Sequence, residues 1–473
     1  MKRNLKLLLT IASLALMILA CGLGGSSEPT ATQPPPKPTE TTAPEPTDIP
    51  EPTPEPVVIE EPTRAPVEEP VAAANEVSIV AINGYRDEWD SLRIVGLLTN
   101  NTSRVVDNIE IEIEVFDANG NSLYVETTYS ELYTLAPGET SPFAMWVFED
   151  LPEADTYVAT IVGQGSGDVD RAFLDTAGVL VTVDDDGDVN ITGTMVNNTG
   201  QSVQINSLAA ATFDANGNLF TADGYSVAVR HLDPGEDGPF RITITSPEGG
   251  AADMAEYELY VDAEYTDEST FYPIDFTDIS YYVDAYGYFH MVGEVTNNSD
   301  YNLSISLVGA IYDADGNIID AASTDIPVYG LPPGATSAYD LSYWGPLNYQ
   351  DGLLDSLGAD LPWSVQWDPY WTWESFNEYI LLSTANDVNE YNGWSGEFTG
   401  QVVNDSGGAV DGAIVVITLY DSATGAAIAM DYDPIFDEIP AGGTVDYTVY
   451  MDLPPDFDFN TVEYYIDVWG ELP

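Results

Sequence analysis

Alternation of apolar and charged positions is clearest at residues 109–115, where Ile or Val occupies every second position and Glu stands between them. A period of two places the apolar side chains on one face of an extended strand, so this segment predicts a sheet with one face in a core and the other in water. Comparable stretches continue to residue 473, separated by Gly, Pro, Asn and Asp. This pattern predicts an all-β protein with antiparallel sheets.

One order of strands and turns recurs four times with nearly fixed spacing. Each copy opens with an apolar stretch that ends in a polar pair: Asn100-Asn101, Asn197-Asn198, Asn297-Asn298 and Asn404-Asp405. After a further apolar stretch, an aromatic residue and an aspartate begin a turn at Asp117, Asp214, Asp313 and Asp421. A second turn follows each aspartate at a constant spacing, at Pro137-Gly138, Pro234-Gly235, Pro333-Gly334 and Ala441-Gly442.

The spacing predicts four copies of one module, with a period of roughly 97–107 residues and about seven strands each. We expect every module to be an Ig or fibronectin-like antiparallel β-sandwich, with Asn-Gly, Asp-Gly and Pro-Gly turns joining its strands. The predicted module ranges are 76–165, 166–266, 267–373 and 374–473.

Two short motifs resemble a known family. The elements Val308–Asp313 and Ile417–Asp421, each followed by a turn like Leu-x-Pro-Gly, are similar to the FxLYD family of bacterial extracellular β-sandwich domains. Neither element has Phe at the first motif position, and Ala441 replaces Pro in the fourth copy. The resemblance extends over nearly all of 76–473 and implies a sandwich fold and an extracellular location; that family has no established catalytic role.

The N-terminus, at positions 1–21, carries a targeting pattern. A basic start with Lys2, Arg3 and Lys6 precedes an apolar run at 7–19, which is too short for a membrane span. The run ends in Ile-Leu-Ala-Cys21 and resembles a bacterial lipobox, which implies a signal peptide at 1–20 and a diacylated Cys21 that anchors the chain to the cell membrane. An ordinary secretory signal with an incidental cysteine is the alternative.

Cys21 is the only cysteine, which excludes intramolecular disulfides and sites with several thiolates. Fourteen of the 32 prolines lie between Pro29 and Pro70. A segment of this composition cannot bury a core, so residues 21–75 are predicted to form an extended, disordered stalk. A docking peptide for a proline-recognition domain is a second interpretation of this segment.

The charge of the chain restricts its partners. It has 79 acidic and 11 basic residues and a formal net charge of −68, of which −63 falls after Asn75. This field repels nucleic acid, whereas a cation or a basic or neutral partner is compatible with it. The six bases after Asn75 are Arg86, Arg93, Arg104, Arg171, Arg230 and Arg241. Spread along all modules, the acids favour a solvated surface that resists aggregation.

Catalytic patterns are scarce in this sequence. The two histidines, His231 and His290, stand far apart in the chain and in no metal-ligand spacing, and the sequence contains no phosphate-binding loop. With 69 acids in the modules, some carboxylates will lie close together by chance, so acid pairs do not identify a glycoside hydrolase. The sequence therefore predicts a protein that is not an enzyme and needs no cofactor.

Calcium is the one metal with candidate residues, which are Asp184, Asp186, Asp188, Asp313 and Asp315. The EF-hand requires Glu at loop position 12, but Met195 and Thr324 occupy that position. Hairpin turns held by Asp and Asn side chains are the expected interpretation, with weak calcium binding as the alternative.

An aromatic segment is the remaining candidate ligand site. It contains Trp363, Trp367, Tyr370, Trp371 and Trp373. Trp and Tyr suit both buried packing and binding faces for sugars or proteins. The four Trp share one parity, which a strand would place on one side, but Pro369 interrupts that strand.

These patterns together predict a non-catalytic surface lipoprotein outside the cytoplasm that displays its modules for adhesion, cell-wall contact or complex assembly. Its partners would be the membrane, through the lipid, and a cell-wall glycan or a protein. The alternatives are a carbohydrate-binding protein using the Trp363–Trp373 region and a purely structural spacer, with a glycoside hydrolase as the least favoured.

Overall fold

Antiparallel strands make up the fold. The computed structural model describes residues 76–473 except 150, 185–186, 225, 249, 268–271, 278, 314, 344–362, 370–371 and 455–456. These residues form 32 β-strands, with short 3-10 turns at Ala251–Asp253 and Phe459–Thr461, so the predicted all-β class is confirmed. No helix within them is long and apolar enough to cross a membrane. The predicted signal peptide, Cys21 and the stalk lie outside the described residues.

The strands are grouped here as modules 1 to 4, after the predicted ranges. Module 1 contains β1 (Val77–Arg86), β2 (Leu92–Asn100), β3 (Val106–Asp107), β4 (Glu110–Asp117), β5 (Ser122–Tyr129), β6 (Thr134–Leu135), β7 (Thr140–Val147) and β8 (Ala154–Gly163). Module 2 contains β9 (Arg171–Ala172), β10 (Asp175–Val183), β11 (Val189–Val196), β12 (Val203–Asp214), β13 (Leu219–Asp223), β14 (Ser226–Ala228), β15 (His231–Leu232), β16 (Asp237–Ile244) and β17 (Met254–Tyr265).

The second half of the chain continues the series. Module 3 contains β18 (Ile274–Phe276), β19 (Ser280–Val283), β20 (Phe289–Asn297), β21 (Leu303–Ser304), β22 (Ser306–Tyr312), β23 (Ile318–Asp325), β24 (Thr336–Tyr343), β25 (Trp363–Trp367) and β26 (Trp373–Glu374). Module 4 contains β27 (Tyr379–Tyr391), β28 (Ser395–Val403), β29 (Gly412–Asp421), β30 (Ala427–Ile435), β31 (Thr444–Asp452) and β32 (Val462–Glu471).

Each module pairs its strands into a first and a second sheet. The first sheets have the orders β1-β2-β7 in module 1 and β10-β11-β16-β14 in module 2, and in module 3 β20 pairs with β18, β19 and β24. The second sheets have the orders β5-β4-β8, β13-β12-β17-β9 and β23-β22-β25. In module 4 the long β27 joins both halves in the order β30-β29-β32-β27-β28-β31. All these pairs are antiparallel, and none joins two modules among the described strands.

A fully buried asparagine connects the turns of every module. The side-chain amide of Asn100 donates to the carbonyl of Arg104 at 2.8 Å and to that of Leu135 at 2.9 Å. Its carbonyl oxygen accepts from the backbone N–H and the hydroxyl of Thr102, at 3.0 and 2.7 Å. The main-chain carbonyl of Asn100 accepts from the N–H of Gly138 at 2.7 Å. The same side-chain bonds recur at Asn197, Asn297 and Asn404.

The central strand of each second sheet makes the contact between consecutive modules. In β12, Leu208 and Ala210 belong to the core of module 2. Their neighbours Ala209, Ala211 and Phe213 pack instead into the hydrophobic cluster of module 1. Strands β22 and β29 pack on their preceding modules in the same way, through Val308, Ala310, Ile414 and Val416. A strand that is buried on both faces needs apolar residues at consecutive positions, and these three strands have them.

Strand β4 of module 1 differs from its counterparts on one face. Ile111, Ile113 and Val115 are fully buried in the module core. The opposite face of the strand carries Glu110, Glu112 and Glu114. The alternation predicted at 109–115 is therefore confirmed for module 1, whereas the equivalent strands of modules 2 to 4 have apolar residues on both faces.

We expect Asn297→Ala to lower the free energy of unfolding by about 3 kcal/mol, because two buried carbonyl groups lose their donor. Asn298→Ala is the matched control, since Asn298 is exposed and its side chain bonds to Asp275 on the surface. It should change stability by at most about 0.5 kcal/mol. Urea unfolding of the full chain, followed by tryptophan fluorescence, measures both variants. Equal losses for the two variants would contradict a special role for the buried amide.

Candidate functional site

The described residues of the aromatic segment do not form one surface. Trp363 and Trp367 lie on β25, which pairs with β22, and both rings pack against the hydrophobic cluster of module 3. The Trp367 ring also meets the ring of Tyr272 edge-on, with centroids 6.4 Å apart. Their shared parity thus places both Trp on the core side of the strand, with part of each ring still accessible.

Trp373 lies on the short strand β26 and differs from the two preceding Trp in its exposure. β26 pairs with β21 through Ser304, and the Trp373 side chain is 45% exposed. Tyr370 and Trp371 lie outside the described residues. The described part of the segment therefore supplies one well-exposed indole, at the junction of modules 2 and 3.

Two clefts lie between modules 2 and 3, on either side of a contact from the backbone N–H of Arg230 to Asp368, which are 3.2 Å apart. Trp373 lines the first, with a volume of about 450 Å³, and Trp367 lines the second, with about 490 Å³. Ligand sites in proteins commonly have such volumes. These clefts are the concave surfaces in which the predicted aromatic residues meet polar side chains.

The proposed calcium residues hold hairpin turns. Asp313 accepts the backbone N–H groups of Asp315 and Asn317 at 2.9 and 2.8 Å, and its second oxygen accepts the Asn317 amide at 2.8 Å. These hydrogen bonds lower the pKa of Asp313, although partial burial opposes them. Asp117 makes the same bonds in module 1, and they lower its pKa to about 2.

Asp184 holds a different turn, between β10 and β11, where it accepts the N–H of Asp188 at 2.8 Å and the amide of Asn190 at 3.2 Å. Asp188 in turn accepts the N–H of Ser246 at 2.8 Å. Asp186 lies outside the described residues. Among the residues that the structure describes, no three His, Cys, Asp or Glu are grouped to hold a metal ion. Calcium binding stays a prediction.

Buried ion pairs connect consecutive modules. At the junction of modules 1 and 2, the guanidinium of Arg171 lies 3.0 Å from Glu139 and also bonds to Asp262. Asp262 accepts both the N–H and the hydroxyl of Thr134, each at 2.7 Å. Arg171 and Asp262 belong to module 2, whereas Glu139 and Thr134 belong to module 1. The cluster thus joins the two modules by charge-assisted hydrogen bonds.

The junction of modules 2 and 3 has a similar pair. Arg241 of module 2 lies 2.7 Å from the carboxylate of Asp320 in module 3, and the two side chains are 9% and 0% exposed. Beside them, the hydroxyl of Thr192 donates to the carbonyl of Ile318 at 2.5 Å. A charge held this deeply depends on its partner, because ionised groups are costly to remove from water.

Modules 3 and 4 meet around His290. Its Nδ1 lies 2.7 Å from Asp340 and its Nε2 lies 3.5 Å from Asp284, both in module 3. Burial lowers the pKa of His290, but the hydrogen bonds to and charges of these two carboxylates outweigh burial and raise it to about 9. The ring stacks on Tyr282, with centroids 4.5 Å apart, and the Tyr282 hydroxyl donates to the carbonyl of Asp452 in module 4 at 3.2 Å.

Carboxylates from module 4 face the same cavity, which has a volume of about 230 Å³. Burial raises the pKa of Asp431 to about 7, with the charges of Asp340 and Asp452 adding to the effect. Burial also raises the pKa of Asp452. The junction therefore combines His290 with five carboxylates from two modules: Asp284, Asp325, Asp340, Asp431 and Asp452. Because the pKa of Asp431 is raised to about 7, the charge of the junction changes near neutral pH.

Sequence reasoning missed these junction residues. In the sequence, Arg171, Arg241 and His290 stand out only as rare bases or as unsuitable metal ligands. The scarcity of bases was the available signal. In a chain with so many acids, each arginine or histidine is a candidate for a buried ion pair. The acidic partners carried no such signal, because acids occur everywhere in the modules.

No family model matches this sequence, and a comparison with curated proteins found no match. Among solved structures, a β-glucuronidase from glycoside hydrolase family 2 is similar at 9% identity and a TM-score of 0.13, over 72% of this chain and 32% of its own. The native conformation of E. coli α-2-macroglobulin is similar at 11% identity and a TM-score of 0.13, over 84% of this chain and 28% of its own. TM-scores this low assign neither a common fold nor an activity.

Removing one partner of the Arg241–Asp320 pair should be strongly destabilising. We expect Arg241→Met to lower the free energy of unfolding by about 3–5 kcal/mol, because Asp320 keeps a buried charge, whereas the double variant Arg241→Met, Asp320→Leu should recover most of the loss. Arg104→Met, at an exposed arginine, is the control and should change stability by at most about 0.5 kcal/mol. If urea unfolding shows that the double variant loses the sum of the two single-variant losses in free energy, the pairing is contradicted.

The junction of modules 3 and 4 should weaken as pH rises. Asp431 has a raised pKa, so its contribution to stability is present at low pH and is lost as pH rises from its ordinary value of 3.8 through about 7. His290 also has a raised pKa, so its contribution is present below its ordinary value of 6.5 and is lost as pH rises through about 9. Both titrations therefore lower the stability of the junction as pH rises. Asp284 titrates at lower pH than these two groups, because its pKa is lowered.

Hydrogen exchange in β20 and β30, measured between about pH 4 and pH 10 and corrected for intrinsic exchange, tests this dependence. Asp431→Asn should remove the loss of exchange protection that ends near pH 7. His290→Gln should remove the loss of exchange protection that ends near pH 9. Asp411→Asn, at an exposed carboxylate of module 4, should leave both losses unchanged. Protection that stays constant over the whole range in the wild-type protein would show that the prediction is wrong.

Proposed function

We propose that this chain is a non-catalytic lipoprotein that displays stacked β-sandwich modules outside the cytoplasm, for adhesion, cell-wall contact or complex assembly. The observation that carries the proposal is the direct packing of each module on its neighbour. Shared hydrophobic clusters and buried ion pairs join the modules, which suits a protein that presents surfaces at fixed relative positions.

The targeting pattern supports the anchored location. A diacylated Cys21 would hold the chain on the membrane, because two acyl chains give stable attachment. The Pro-rich segment at 21–75 would then separate the modules from the bilayer. The net charge of −63 after Asn75 agrees with this arrangement, since an anionic bilayer repels the modules.

The environment of the two histidines supports a non-catalytic role. His290 is held between Asp284 and Asp340, and His231 lies 3.3 Å from Asp233, within a turn. Each imidazole thus has a structural partner close to it in the chain or in the same module. Both ring nitrogens of His290 face carboxylates of its own module, at 2.7 and 3.5 Å.

Replacement of the lipidated residue tests the anchor. In a bacterial host fed with labelled palmitate, we expect the wild-type chain to carry label and to sediment with membranes, whereas Cys21→Ala should be unlabelled and absent from the membrane fraction. Cys21→Ser separates lipidation from side-chain size and should behave like Cys21→Ala. Label on either variant, or an unlabelled wild-type chain, would contradict the proposal.

The same strains test the display. Antibodies against modules 1 to 4 should label intact cells or wall-permeabilised cells that carry the wild-type chain, without lysis of the membrane. Labelling that requires membrane lysis would place the modules in the cytoplasm and would overturn the proposed location.

A further inference from the structure

We infer that the cleft between modules 2 and 3 that Trp373 lines is a binding site for a neutral carbohydrate chain. The inference rests on the proposed function and deepens it by naming the ligand class. It narrows the hypothesis of a binding face in the Trp363–Trp373 region, because Trp363 and Trp367 pack on module 3 and because both modules supply the walls of this cleft.

The edge strands β14 and β23 and the interior strand β22 form the walls. Among the described strands, β14 of module 2 pairs only with β16, and β23 of module 3 pairs only with β22. Ser226 and Arg230 line the cleft from module 2, while Ser323, Asp325, Asp368 and Trp373 line it from module 3. The cleft has a volume of about 450 Å³, within the range of ligand-binding clefts, and it is open to solvent.

The side chains of this cleft match the chemistry of a sugar. A sugar ring offers a patch of C–H groups, which an exposed indole such as Trp373 can cover, and hydroxyl groups that both donate and accept. Serine hydroxyls bind such groups in either direction, a carboxylate accepts from them, and a guanidinium donates to them. The wall is also partly apolar, as the C–H face of a sugar requires, because Val227, Ala228, Leu307 and Val308 line the cleft.

Hydrogen bonds within modules 2 and 3, and one between the two modules, hold the polar groups of the cleft in place. The guanidinium of Arg230 donates to the carbonyl of Asn206 at 2.8 Å, and the N–H of Arg230 donates to Asp368, which is 1% exposed. The Ser306 hydroxyl bonds to Asp325 at the other wall. Positioning of this kind limits the ordering that binding requires, and so favours affinity.

The charge of the cleft and of the chain distinguishes neutral from anionic sugars. One guanidinium and two carboxylates line the cleft, inside a chain that has a net charge of −63 after Asn75. Uronic acids, sialic acids and sulfated sugars would be repelled, whereas a neutral chain would not. The site therefore assigns the ligand to neutral glycans.

An array of neutral and anionic glycans, probed with the full chain in detergent, is the first test. We expect binding to at least one neutral glycan and to no anionic glycan. Isothermal titration then gives the affinity for the neutral probe that binds, with cellohexaose, maltohexaose and chitohexaose as soluble representatives. Binding to no neutral glycan, or to anionic glycans alone, would overturn the inference.

Variants locate the site. Trp373→Ala should weaken binding about tenfold, and Trp373→Phe less, because the phenyl ring keeps part of the stacking surface. Ser226→Ala should weaken it about threefold, although Ser226 belongs to the other module. Trp394→Ala is the control, since Trp394 is 59% exposed in module 4 and should leave the affinity unchanged. Wild-type affinity in both Trp373→Ala and Ser226→Ala would overturn the inference.

Cys21→Ala separates this inference from the proposed anchor. Its modules should bind the same glycan with wild-type affinity, because the lipid plays no part in the cleft. If the wild-type chain binds the glycan but is not anchored to membranes, only the proposed function is contradicted. If it is anchored but binds no neutral glycan, only the inference about the cleft is contradicted.

Discussion

The hydrogen bonds of one buried asparagine in each module are the constraint on which the rest of the structure depends. At Asn297, a single amide joins the end of the β20 strand, the turn that follows it and the carbonyl of Leu331, which lies 34 residues away. That amide is fully buried, and all four of its hydrogen-bonding positions are used. It fixes the loops at this end of the module, whereas the alternation of side chains along each strand determines which face remains to contact the neighbouring module.

Those remaining faces explain why the modules pack on one another instead of forming independent domains joined by linkers. Each of β12, β22 and β29 gives one row of side chains to its own core and the other row to the preceding module. Arg171, Arg241 and His290 then lie at the three successive junctions, each beside acids. These two arginines, out of six after Asn75, and this histidine thus lie where modules meet, whereas Arg104 is exposed among the surface acids.

Much of this could be predicted from the sequence, because strands and turns leave local signals. The Asp turns, the Pro-Gly turns and the asparagine pairs showed the repeat and its sheets. Apolar residues at consecutive positions in β12, such as Ala209, Ala210 and Ala211, were an available signal of burial on both faces, which the prediction of one solvated face missed. Parity put Trp363 and Trp367 on one side, but it could not say which side faced the core. The junction partners, such as Arg241 and Asp320, are 79 residues apart and share no pattern.

The row of Glu on β4 has a consequence for how many modules can be stacked. When a face of one molecule binds the opposite end of the next molecule and no ring closes, many molecules can assemble into an open fibre. In modules 2 to 4 the corresponding face is apolar and already covered by the preceding module. In module 1 it presents Glu110, Glu112 and Glu114, whose desolvation under another acidic molecule would be unfavourable. Three carboxylates thus oppose fibre growth and keep association within one chain.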